Sequence, residues 1–190
     1  MPGRSLARMS LQDLRRLGEL ATADRMALFR RKPETARLYA RGVFAVALCQ
    51  GAALHFLDGK NGVKDFDVWT FYRARSQRPF PYRRRGVADF GSPKFGTSDD
   101  KPHFIGRRVD FMGRSLDSRS FNDPVAVLRN YLRGARTKSA RLLAQKPVVL
   151  IEPLSQLGTV VWPVPSSNLF IEGTLSSVLR TPPAAAEVKR

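Results

Sequence analysis

The chain has 190 residues, of which 43% are hydrophobic and 26% charged, a balance that predicts one folded domain and excludes two large domains, wholesale disorder and a fibrous repeat. Its only cysteine, Cys49, excludes an internal disulfide and a cysteine-based zinc cluster, and favours a reducing, cytoplasmic location. The formal net charge of +17 favours a polyanionic partner such as nucleic acid or a nucleotide, although an arginine-rich coding bias would produce the same excess.

Residues 1–42 predict a helical segment that packs on the rest of the chain. Ser10 followed by Asp13 and by leucines three residues apart predicts an N-capped amphipathic helix. Pro33 and Glu34 predict the start of a second, short helix. Because charged residues interrupt every apolar stretch near the N-terminus, we expect neither a secretory signal nor a membrane anchor.

The middle of the chain predicts strands separated by a helix and a long irregular segment. Val43–Cys49 is a continuous apolar run that predicts a buried strand, although a buried helix has the same pattern, and Ala52–Leu57 predicts a short helix. Lys64–Tyr72 and Gly106–Met112 predict two more strands. The segment Arg73–His103 is too long for an ordinary loop, so it is either a substrate-facing loop or contains a further strand.

The last part of the chain predicts two helices, two strands and a tail. The first helix begins after the capping residue Asp123, and the second spans residues 137–145. The strands lie at residues 148–151 and 159–162. Residues 181–190 predict a disordered tail. The predicted fold class is therefore α/β or α+β, with a small mixed β-sheet flanked by helices.

Asp65 and Asp67 form the most informative pair in the sequence. Alternation along a strand places both carboxylates on one face, where they repel each other unless a cation lies between them. Oxygen ligands suit Mg²⁺ or Mn²⁺, and Asp110 in a later predicted strand can supply a third carboxylate. Such a pair of acids is also common on solvated strand faces, and the neighbouring residues favour the functional interpretation.

Gly51 and Ala52 lie between a predicted strand and a predicted helix. Small residues there let a phosphate approach the backbone N–H groups at the start of the helix. Arg108 shares the face of Asp110 by alternation and is the preferred phosphate contact, together with Lys64. Other basic candidates near the same segments are Lys94, Arg107, Arg114 and Arg119. These parts together predict a triphosphate site.

In order, spacing and predicted strand context, Gly51, Asp65, Asp67 and Asp110 resemble the signature of the polymerase-beta-type nucleotidyltransferase superfamily. The resemblance covers roughly residues 43–112. That signature has an apolar residue, Gly, then Gly or Ser, a spacer, an Asp-x-Asp or Asp-x-Glu pair, and a later acidic residue. Gln50 replaces the apolar residue, and Ala52 keeps the backbone amide but lacks the hydroxyl of serine.

The resemblance implies a nucleotidyltransferase-like domain over residues 43–180. It implies metal-dependent transfer of a nucleoside monophosphate from an NTP to a hydroxyl group, with Asp65, Asp67 and Asp110 as catalytic metal ligands on Mg²⁺ or Mn²⁺. The nucleotide-binding residues would be Gly51, Ala52, Lys64 and Arg108. The site is expected at the sheet edge formed by the strands that carry the acids.

The charge favours RNA such as tRNA as the acceptor, with a protein side chain or a small hydroxylated molecule as alternatives. Stand-alone transferases similar to this superfamily include toxins of toxin–antitoxin pairs, so an antitoxin or another protein partner is a further expectation. Two other interpretations stay open. One is a catalytically degenerate protein that binds nucleotide or RNA, and the other is a basic nucleic-acid-binding protein with an incidental acidic pair.

Overall fold

The computed structural model describes residues 5–75, 79–81 and 84–163, of which residues 84 and 85 are described as backbone only. The α-helices of these residues are α1 Leu11–Arg31, α2 Pro33–Tyr39, α3 Gln50–Asp58, α4 Pro124–Gly134 and α5 Lys138–Leu143. The strands are β1 Val43–Cys49, β2 Phe66–Arg73, β3 Arg84–Asp89, β4 Arg108–Leu116, β5 Val148–Glu152 and β6 Val160–Trp162. The tail predicted at 181–190 lies outside the described residues.

The strands form one six-stranded sheet in the order β3-β4-β2-β1-β5-β6. Strands β2 and β4 run parallel, and every other neighbouring pair runs antiparallel. The predicted fold class, a mixed sheet flanked by helices, is therefore confirmed. None of the described helices is long and apolar enough to cross a membrane.

The long segment Arg73–His103 contains the strand that the sequence pattern leaves open. Parallel strands cannot be joined by a tight turn, so the chain needs a long connection from the end of β2 to the start of β4. Within this connection the chain forms β3, which pairs antiparallel with β4 on the side away from β2. Because β2 and β4 each have a strand on both sides, the acids they carry lie at strand ends and not on the edge of the sheet.

Each face of the sheet is covered by helices. Leu14, Leu17 and Ala21 of α1 pack on one face, together with Ala52 and Ala53 of α3. The opposite face packs against apolar residues of α4 and α5. The predicted N-cap of α1 is confirmed and forms a capping box, because the Ser10 N–H donates to the Asp13 carboxylate at 2.7 Å and the Asp13 N–H donates to the Ser10 hydroxyl at 3.3 Å.

Gly106, two residues before the start of β4, lies against the backbone of Ser92. A Cβ at Gly106 would collide with the Ser92 carbonyl oxygen and lie 3.0 Å from the Ser92 nitrogen. Because backbone cannot yield as a side chain does, we expect Gly106→Ala to lower the free energy of unfolding by about 1–3 kcal/mol. Urea denaturation measures this change.

Gly51→Ala is the matched control. A Cβ at Gly51 meets no atom within 4 Å, and the residue lies in α3, where alanine is favoured over glycine by up to about 1 kcal/mol. The control should therefore keep or gain stability. Equal losses in the two variants would contradict the packing at Gly106.

Candidate functional site

The parallel pairing of β2 with β4 brings two of the predicted acids together. Asp67 and Asp110 are direct partners in the register, and Cys49 at the end of β1 is the partner of Asp67 on its other side. Directly opposed residues point to the same face of a sheet. Burial raises the pKa of the Cys49 thiol well above its usual value, and the charge of Asp67 raises it further, so this cysteine is a core residue.

The third predicted acid is brought in from outside the sheet. Asp65 precedes the first residue of β2, whereas the sequence pattern predicts a strand from Lys64. Its contact with the site runs through Arg108, whose Nη2 lies 3.5 Å from Asp65 Oδ2. The strand therefore positions Asp67 and Asp110, and the turn before it positions Asp65.

The guanidinium of Arg108 lies at the centre of the carboxylates. Its Nη2 is 2.9 Å from Asp110 Oδ2, its Nε donates to the same oxygen at 3.1 Å, and its Nη1 donates to Asp100. Burial opposes ionisation of Arg108, but the charges of Asp110 and Asp100 outweigh it and raise its pKa above the usual value. Asp110 is only 6% exposed, so it needs this compensation.

This arrangement differs from the prediction that Arg108 binds phosphate. The guanidinium makes ion pairs with Asp65, Asp100 and Asp110, and so holds the place where a cation is expected. Among the described residues, no group of three or more Asp, Glu, His or Cys side chains is arranged to hold a metal. The oxygen donors suit a hard divalent cation chemically, and such a cation would have to displace Arg108 from Asp65 and Asp110.

A cavity of about 350 Å³ opens beside this ion-pair cluster. It is lined by Lys64, Asp65, Ser98, Asp99, Asp100 and Arg108. Sequence reasoning missed Ser98, Asp99 and Asp100, which come from the loop between β3 and β4. The sequence feature that could have indicated them is a pair of acidic residues, Asp99 and Asp100, in an otherwise basic segment that is too long for an ordinary loop.

Arg107 holds the loop that carries these residues. The side chain is 1% exposed, and its Nε donates to the Phe95 carbonyl at 2.9 Å while its Nη1 donates to the Thr97 carbonyl at 2.5 Å. Its Nη1 also lies 3.7 Å from Asp99 Oδ1. Arg107 is therefore a structural anchor, which corrects its prediction as a basic residue of the site.

Asp89, the last residue of β3, fastens both ends of the same loop. Its carboxylate accepts hydrogen bonds from the backbone N–H groups of Gly91 at 2.9 Å, Ile105 at 2.7 Å and Gly106 at 2.9 Å. Burial opposes ionisation of Asp89, but these three donors outweigh it and lower its pKa below the usual value. The ionised form thus stabilises the loop geometry.

The predicted phosphate-binding turn adjoins the acids. Helix α3 follows Cys49 without a side-chain cap, so the N–H groups of its first turn are left for another acceptor. The space around Gly51 is open, whereas the Ala52 side chain is buried in the core. Gln50 has a positive φ of 62°, and its side-chain amide donates to the Leu142 carbonyl of the α5 helix at 3.0 Å.

Of the remaining basic residues that the sequence predicts at the site, one lines the cavity and three lie elsewhere. Lys64 is exposed and lines the cavity beside Asp65. Lys94 makes an ion pair with Asp13 at 2.6 Å, so it neutralises the α1 cap instead of a phosphate. Arg114 lies four residues beyond Asp110 along β4, and Arg119 is exposed after that strand. The structure does not bring Lys94, Arg114 or Arg119 into this cluster.

Comparison of the chain with protein-family models, with curated proteins and with solved structures finds no match. The resemblance to nucleotidyltransferases therefore stays a prediction. The geometry that bears on it is the register of Asp67 with Asp110, the adjoining start of α3, and the ion pairs of Arg108.

The loop anchored by Asp89 predicts a specific pH dependence. Because the folded protein holds the pKa of Asp89 below its unfolded value, this carboxylate stabilises the protein above the unfolded pKa, and the stabilisation is lost as the pH falls through the folded pKa. We expect Asp89→Asn to lower the free energy of unfolding at pH 7 and to reduce its fall between pH 7 and pH 3. Urea denaturation at stepped pH measures both.

Asp117→Asn is the control, because the Asp117 carboxylate is exposed and accepts no hydrogen bond from the described residues. It should keep the parent's pH profile. A profile of Asp89→Asn that parallels the parent would contradict the role assigned to the three backbone donors.

Proposed function

We propose that the protein is a metal-dependent nucleotidyltransferase that transfers a nucleoside monophosphate from an NTP to a hydroxyl acceptor. The observation that carries this proposal is the pairing of Asp67 with Asp110 on parallel strands, directly beside the end of β1 from which α3 begins. Acids from two strands and an uncapped helix start thus lie together. This is the combination that a metal-bound triphosphate requires.

Asp65, Asp67 and Asp110 would hold Mg²⁺ or Mn²⁺, which supplies charge neutralisation on the phosphates and lowers the pKa of the attacking hydroxyl. The backbone N–H groups of Gly51 and Ala52 bind phosphate oxygens at the start of α3. Because Gly51 has open space around it, a phosphate can approach the backbone there. Lys64 contributes positive charge from the wall of the cavity.

Arg108 gives the site a resting form in the absence of substrate. Its guanidinium compensates Asp110 and Asp65, which would otherwise repel each other at a buried strand end. A bound divalent cation would supply the same charge compensation, and the ion pair of Arg108 with Asp100 on the loop side of the cavity does not depend on Asp65 or Asp110. Arg108 would then be available to contact a phosphate, which is the role that the sequence pattern predicts.

RNA such as tRNA is the acceptor that the charge favours. A net charge of +17 attracts a phosphodiester backbone more strongly than a neutral protein or a small hydroxylated molecule. The toxin-like role and an antitoxin partner stay predictions from the resemblance. A cytoplasmic location also stays a prediction, and it is based on the single cysteine, Cys49, which is buried and free.

Two observations favour a second candidate, a nucleotide- or RNA-binding protein that does not catalyse transfer. Arg108 makes two close contacts with Oδ2 of Asp110. Ala52 has no hydroxyl to offer a phosphate, and its methyl group is buried in the core. A protein in which the guanidinium permanently replaces the metal would bind nucleotide or RNA through charge and backbone groups alone.

The transfer reaction is tested with α-³²P-labelled NTPs, Mg²⁺, and total RNA, total protein or small hydroxylated molecules as acceptor. We expect label on RNA, and we expect Asp67→Asn to reduce it by about a hundredfold or more while circular dichroism stays that of the parent, because the variant removes a metal ligand without changing volume. Asp58→Asn, at the exposed end of α3, is the matched control and should keep full activity.

Undiminished transfer by Asp67→Asn would refute the assignment of the acids. Absence of label on RNA, protein and small hydroxylated acceptors, with nucleotide still bound by the parent, would support the non-transferring candidate instead.

The competition between Arg108 and the metal gives an independent prediction. We expect Arg108→Gln to raise the affinity for Mn²⁺ by about tenfold, because it removes the positive charge that pairs with Asp65 and Asp110. Electron paramagnetic resonance of free Mn²⁺ measures this affinity without any turnover. Arg119→Gln removes the same charge at an exposed position away from the site and should leave it unchanged. Equal affinities in the two variants would show that Arg108 does not occupy the cation position.

A further inference from the structure

A second cavity lies toward the other end of β4 from the carboxylates. It has a volume of about 460 Å³ and lies between the last residues of β4 and the helix pair α4–α5. Arg114 in its wall follows Asp110 by four residues on the same face of the strand, which corresponds to about 13 Å. The cavity is therefore separate from the cluster around Arg108.

The cavity contains an arginine, Arg114, that is fixed in place without a counter-ion among the described residues. Arg114 Nη1 donates to the Ser139 hydroxyl at 3.2 Å, and its guanidinium lies 5.7 Å from the centre of the Tyr131 ring. The Tyr131 hydroxyl is in turn 3.2 Å from the Thr137 hydroxyl. Arg114 Nε is buried and has no hydrogen-bond partner in the described part of the chain. This side chain is pre-organised, and no carboxylate of the described residues compensates its charge.

A second arginine and neutral donors complete the wall. Arg136 is exposed and lines the same cavity, and neither it nor Arg114 makes an ion pair with any carboxylate of the described residues. Asn130 adds an amide to the lining. Asp117 is the one acidic residue among the lining residues that the structure describes, and it is exposed.

We infer that this cavity binds the phosphate group of a nucleotide-sized ligand. A partly buried guanidinium held by neutral groups, with a second guanidinium at the mouth, matches the bidentate geometry of a phosphate, and an anion there removes the cost of an uncompensated charge. The volume exceeds what an inorganic phosphate needs and falls in the range of small-ligand sites. Leu116 and Val127 in the wall supply apolar surface for the rest of the ligand.

The phosphate can come from a free mononucleotide or from the terminal nucleotide of an RNA strand. Both present the same group to Arg114 and Arg136, and the strand reaches the cavity from solvent because Arg136 is exposed. The site needs no divalent metal and no transfer reaction. It is therefore independent of the proposed function.

The test is calorimetric titration of the full chain, in EDTA, with AMP, with adenosine and with a short 5′-phosphorylated RNA. We expect AMP to bind and adenosine not to bind. Arg136→Gln should weaken AMP binding by about tenfold, because one charge-assisted hydrogen bond contributes roughly that factor. Arg114→Gln should weaken it at least as much. Arg30→Gln, which removes an exposed charge from α1 on the opposite side of the sheet, should leave binding unchanged.

Because Arg136 is exposed, its variant tests the site even where Arg114→Gln fails to fold. Binding of the phosphorylated RNA without AMP, weakened by Arg136→Gln, would assign the phosphate to an RNA end. Absence of binding by both, or equal weakening by Arg136→Gln and Arg30→Gln, would overturn the inference. Asp67→Asn should bind AMP in EDTA as the parent does. A failure of the transfer proposal is therefore distinguishable from a failure of phosphate binding in this cavity.

Discussion

The parallel pairing of β2 with β4 is the constraint on which the rest of the structure depends. Parallel neighbours bring the starts of both strands to one end of the sheet, and the register makes Asp67 and Asp110 partners. The same pairing forces a long connection, and the chain uses it to form β3 and the loop that carries Asp99 and Asp100. One backbone arrangement therefore accounts for the acidic site and for the segment that encloses it.

Charge compensation determines how that site can exist in a folded protein. Asp110 is buried beside Asp67, and like charges in such a place are unfavourable without a cation. Arg108 supplies the positive charge from the same strand as Asp110. Its neighbour Arg107 is buried and holds the loop by donating hydrogen bonds to carbonyl groups of the loop. These adjacent arginines thus have different roles: Arg108, the first residue of β4, pairs with the acids, whereas Arg107, just before the strand, holds the loop.

Local patterns predicted most of the elements, because capping, alternation and helical spacing are short-range signals. The α1 capping box at Ser10, the β1 strand and the cap of α4 at Asp123 are all confirmed. Local patterns do not determine long-range pairing. Alternation indicates that Asp110 can join Asp67, and the length of the segment Arg73–His103 allows a further strand, but no local pattern locates β3 or the contact of Arg108 with Asp100. A basic residue beside acids is equally consistent with binding phosphate and with pairing internally, and only the fold distinguishes the two.

The two ends of this sheet face have opposite electrostatic character, which bears on how a polyanion approaches. Carboxylates surround Arg108 at one end, whereas Arg114 and Arg136 at the other end have no ion-pair partner among the described residues. A phosphodiester backbone is repelled by exposed carboxylates and attracted by unpaired guanidinium groups. For the RNA acceptor that we propose, this arrangement predicts first contact at the arginine end, about 13 Å along β4 from Asp110, and approach to the acids only once a cation neutralises them.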